Sequence, residues 1–91
     1  MKAFDQANVR VLRFSDYLNK LYYNGKLNLK ELQAFRGILE EITRMFQKLR
    51  SLSHFGIVPW YVKKDLNKLN SELTLMEYNV SLISVGAAVA V

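Results

Sequence analysis

The chain has no cysteine, a single proline, a single histidine and four glycines among its 91 residues. Without cysteine there can be no disulfide and no thiolate metal site, and the commonest soft nucleophile is missing. Long hydrophobic runs are also lacking. The longest stretch without a charged residue, Tyr78 to Val91, falls short of the roughly 20 apolar residues that span a bilayer, and Glu77 blocks its extension backwards. Lys2, Asp5 and Arg10 punctuate the first residues with no apolar segment behind them, so no signal peptide is expected. These absences predict a protein that is neither secreted nor transmembrane, resident in the cytoplasm or within a virion or nucleoprotein particle.

Catalytic patterns are scarce as well. There is no glycine-rich phosphate loop, no HExxH and no GxSxG. His54 lies in a glycine-containing turn with no carboxylate beside it in sequence. Glu40 and Glu41 are adjacent, which on a helix turns their side chains about 100° apart and makes no acid–base dyad. The expectation is a non-enzymatic protein with no metal, cofactor or small-molecule substrate.

What the chain does have is one apolar ladder written three times, with steps of three and four residues. It reads Phe4, Ala7, Val11, Phe14, Leu18, Leu21; then Leu32, Phe35, Leu39, Ile42, Phe46, Leu49; then Val62, Leu66, Leu69, Leu73, Met76, Val80, Ile83, Ala87. Such steps keep one stripe of a helix facing its neighbours with coiled-coil-like packing. Helices are predicted over about 2–23, 28–52 and 59–85 or beyond. Asn24-Gly25 ends the first, and Gly56 with Pro59 marks the second turn. Asn28 and Glu31 form a capping box for the second helix, with Leu27 and Leu32 as a hydrophobic staple. Within that helix, Glu40 and Arg44 are spaced for an ion pair one turn apart.

Hydrophobic content of 51% is enough for one core, so residues 1–91 are read as a single all-α domain. Short connections predict an up-down-up, antiparallel three-helix bundle. Helices one and two would span about 33 and 37 Å, and a third running to the C-terminus about 45 Å. The third would then carry an apolar overhang. Ser84 and Ala88, and Gly86 and Ala90, are spaced to offer a flat face of small residues to a second subunit.

Thirteen lysines and arginines outweigh eight acidic residues, for a formal charge of +5. The predicted topology collects Lys2, Arg10, Arg44, Lys48, Arg50, Lys63, Lys64 and Lys68 at one pole against Asp5 and Asp65, about +6 there. Aromatic residues border the same turn: His54, Phe55, Trp60 and Tyr61. A second bank, Arg10, Arg13, Tyr17 and Lys20, runs along helix one. Lys48, Arg50, Lys63, Lys64 and Lys68, backed by Arg10 and Arg13, are the candidate phosphate contacts, with Tyr17, Trp60 and Tyr61 as stacking platforms. Outside the main ladders stand Val9, Leu12 and Tyr23 on helix one and Ile38, Met45 and Leu52 on helix two. The last three, with Ser84, Gly86, Ala88 and Ala90, are the candidate oligomer interface, and Gly37 would allow close approach there.

The function expected from this profile is that of a self-associating helical structural protein touching nucleic acid without sequence specificity. A packaging, coat or nucleoprotein-scaffold component, including one encoded by a virus or mobile element, has this character. Two alternatives use the same residues differently. A protein-interaction adaptor would receive a partner helix on the spare apolar arc, and a peripheral membrane protein would dip the C-terminal tail into a bilayer surface.

Overall fold

The computed structural model of the chain describes residues 2–53 and 57–86. It contains three helices: α1 (Lys2–Tyr23), α2 (Leu29–Ser51) and α3 (Trp60–Ser84). The predicted ladders become the core. Every ladder position among the described residues is buried except Phe35 and Ile83, which are half-buried and pack against it. Leu18, Leu73, Val62 and Val80 are the most deeply enclosed side chains. No polar or charged side chain is buried among the described residues.

Local chemistry sets the helix ends. At the end of α1, Gly25 takes a positive φ of 73°. This turns the chain so that the Lys26 N–H donates to the Leu21 carbonyl at 2.8 Å and the Gly25 N–H to the Tyr22 carbonyl at 3.1 Å. Both bonds satisfy carbonyls that a simple helix end would leave open. The capping box of α2 forms in both directions: the Glu31 N–H donates to the Asn28 side chain at 2.8 Å, and the Asn28 N–H to the Glu31 carboxylate at 2.9 Å. Leu27 is buried just ahead of it. Pro59 stands at the boundary of α3 rather than inside its first turn, and its carbonyl accepts the first helical bond from the Lys63 N–H at 3.0 Å.

Cross-helix contacts fit an up-down-up path. Arg50, at the end of α2, lies 3.8 Å from Asp5 at the start of α1, and the chains of α2 and α3 flank a common groove near their connection. α2 packs closely on both other helices, whereas α1 and α3 are the least closely packed pair.

Two expectations change. Arg44 pairs with Glu41 rather than with Glu40, although Glu40 and Arg44 both border the seam with α1. α3 ends at Ser84, where Gly86 adopts a positive φ of 75° and its N–H donates to the Ile83 carbonyl at 3.0 Å. With 25 residues against 23 in α2, the described part of α3 has only a slight excess of length. Gly86 leaves the helical path, so Ser84 and Gly86 do not share a continuing helix face. Ala88 and Ala90, the expected partners of Ser84 and Gly86 on that face, and Ala87, the last ladder position, lie outside the described residues, as do His54, Phe55 and Gly56.

Candidate functional site

Helix geometry divides the expected basic pole into separate faces. Each step along α3 turns the chain by about 100°, so Lys64 and Lys68, four apart, share a face while Lys63 projects from another. Lys63 flanks the seam between α1 and α3 with Gln6, Asn67 and Asn70. Lys68 flanks the opposite seam, between α3 and α2, and shares it with Lys48. Lys64 is exposed one turn before Lys68. Among the described residues, none of Lys48, Lys63, Lys64 and Lys68 has a carboxylate within 4 Å.

The other expected cations are less available. Arg50 turns toward α1 and Asp5. Lys20 pairs with Asp16 at 3.3 Å. Arg10 is committed to α3: one end of its guanidinium donates to the backbone and side-chain oxygens of Asn70, each at 3.3 Å, and the other to the Thr74 hydroxyl and the Glu77 carboxylate, each at 2.5 Å. An arginine with its donors occupied in this way ties helices together and is poorly placed to meet phosphate. Arg13 borders the same depression as Arg10 and Glu77, but the stripe does not act as one bank, because the donors of Arg10 are taken by α3 while Arg13 is exposed.

The aromatic residues separate as clearly. Trp60 is 77% exposed and Tyr61 47%. Their rings meet edge to face with centroids 6.0 Å apart. Trp60 thus stands in solvent at the first residue of α3, with Lys63 and Lys64 one turn on. That turn carries no acidic residue and no side-chain cap, so the partial positive charge of the helix start adds to the lysines. Tyr17 is half as exposed as Trp60, at 38%, with its ring tilted against Phe14 at 6.2 Å between centroids.

Of the candidate interface residues, Met45 and Leu52 line the α2–α3 groove together with the buried Leu49 and Leu69. Ile38 lies seven residues before Met45 on the same side of α2. Leu75 and Tyr78, each 60% exposed, escaped the sequence reading although both fall between ladder positions of α3. Their places off the ladder were the available signal. Asn70, Thr74 and Glu77 were also missed as partners of Arg10, since nothing in one sequence links positions so far apart.

Among the described residues there is no cluster of three histidine or acidic side chains able to hold a metal ion, and no helix is long and apolar enough to cross a membrane. Compared with known proteins, the chain matches no protein-family model, no curated protein and no solved structure.

Proposed function

We propose that this chain is a self-associating helical protein that lays the start of α3 against nucleic acid without reading its sequence. One observation carries the reading: a tryptophan 77% exposed to water stands one turn from two lysines that have no carboxylate within 4 Å among the described residues. Leaving so large an apolar ring in water costs folding free energy that burial would have recovered. A partner that stacks on the ring and is anionic recovers it, and single-stranded nucleic acid supplies both bases and phosphates. Net charge of +5 adds a general attraction to polyanions. Each copy makes few contacts, so useful affinity comes from repetition along the strand. A packaging, coat or scaffold role within a nucleoprotein particle suits this mode.

The test is fluorescence anisotropy with mixed-sequence single-stranded and duplex oligonucleotides across a salt series. Two lysines on single-stranded phosphate predict a slope of log affinity against log salt of about −1.4 per bound copy. Lys63→Glu with Lys64→Glu should abolish binding. Absence of binding at low salt rejects the proposal. Binding to anionic vesicles in place of oligonucleotides would transfer the same residues to a membrane surface, where tryptophan and lysine also sit together.

A further inference from the structure

The groove between α2 and α3 differs in kind from the start of α3. Its floor is apolar, formed by Met45, Leu49, Leu52 and Leu69, and its edges carry Lys48 and Lys68 against Asp65 and Glu72. Two cations matched by two carboxylates give no net attraction to phosphate. Met45 and Leu52 are 42% and 41% exposed, and the apolar strip continues beyond the depression to Ile38 at 49%. From Leu52 to Ile38 it runs about 21 Å along α2. Leu75, seven residues after Lys68, prolongs the α3 edge in the same direction. Exposed apolar surface of this extent marks a protein interface.

Charge identifies what fits there. Among the described residues, Lys48, Asp65, Lys68 and Glu72 have no ion-pair partner within 4 Å. Lys68 and Glu72 stand one turn apart on the same edge, with the cation toward the start of α3. A second copy laid head to tail over the groove brings each Lys68 to the other copy's Glu72, twice, about a two-fold axis. A copy laid head to head sets Lys68 against the other copy's Lys48. The same face therefore accepts an antiparallel copy and repels a parallel one.

We propose that two copies of this chain pair antiparallel through the α2–α3 groove, burying Ile38, Met45, Leu52 and Leu75 between them, with Lys68–Glu72 ion pairs at the rim. The inference rests on the self-association half of the proposed function and gives it a geometry. In such a pair the two Trp60–Lys64 ends point in opposite directions along a rod. One dimer then bridges two strands, or two sites of a looped strand.

Sedimentation equilibrium of the full chain from low to high micromolar concentration tests this, with circular dichroism of each variant as a check on folding. The wild type is expected to dimerise. Lys68→Glu and Glu72→Lys, both at exposed positions that the fold tolerates, should each weaken the dimer on the order of tenfold, since each places like charges at both symmetric contacts. The double variant Lys68→Glu/Glu72→Lys should restore it, and Met45→Glu should give monomers. A wild-type monomer at every concentration overturns both the pairing and self-association, while the oligonucleotide experiment stands apart. An oligomer indifferent to all these changes overturns this face alone. Failure of the double variant to recover overturns the antiparallel arrangement.

Discussion

Arg10 and Glu77 meet at 2.5 Å across the seam between α1 and α3, with side chains 32% and 36% exposed. The guanidinium also holds Asn70 and Thr74, so one side chain fastens two successive turns of α3. This is the seam where the helices pack least closely. Arg10 therefore compensates, with directed bonds, for apolar contact that α1 and α3 lack.

Arg10→Ala should destabilise the protein by about 1–2 kcal/mol in urea unfolding, through lost charge-assisted bonds and lost packing of the side-chain stem. Glu77→Gln should cost less, about 0.5 kcal/mol, because solvent screens a partly exposed pair. A double-mutant cycle between the two positions should return a coupling of similar size. Oligonucleotide affinity of Arg10→Ala should stay near that of the wild type, since Arg10 is occupied elsewhere. A large loss of affinity at unchanged stability would return Arg10 to the phosphate contacts.

Leu18 and Leu73 are both 0% exposed. Truncating either to alanine should cost roughly 3–5 kcal/mol, the range for a cavity in a well-packed core. At about 4–8 °C per kcal/mol for a domain of this size, such a loss should lower the thermal transition by roughly 12–40 °C. Calorimetry on either variant checks it.

Two glycines should respond in opposite directions. Gly25→Ala forces a side chain into the left-handed region at φ 73° and should lose about 1 kcal/mol. Gly37 lies inside α2 with nothing within 4 Å of where a Cβ would sit, so Gly37→Ala should gain up to about 1 kcal/mol. If the gain in stability comes with loss of the dimer, Gly37 belongs to the interface and the groove assignment shifts toward it.

Trp60 is the chain's single tryptophan, so its fluorescence reports one site. Single-stranded oligonucleotide should quench it, and Trp60→Ala should weaken binding by about 1–3 kcal/mol while leaving the unfolding midpoint nearly unchanged. Unaltered emission at saturating oligonucleotide would show that the ring does not stack.

The helices were legible because apolar period and end signals agree along the whole chain. Leu18, Phe46 and Leu73 could be assigned to the core from spacing alone, and Asn28 with Glu31 could be read as a cap because both partners lie within one turn. The surfaces were less legible. Tyr17 and Trp60 look alike as aromatic residues near lysines, yet one leans on Phe14 and the other stands in water. Arg10 and Arg13 share a stripe and border one depression with Glu77, yet only Arg10 is bonded to α3.

Sequence alone determined three helices, the turn at Gly25, the capping box of α2 and the residues of the core, since these follow from local backbone preference and from a periodicity measured along one chain. Tertiary structure decided which charges are spent inside the molecule and which remain outside. That outcome depends on how each helix is rotated against its neighbours, and Arg10 with Glu77, or Lys68 beside Lys48, are brought together only by packing across more than one helix.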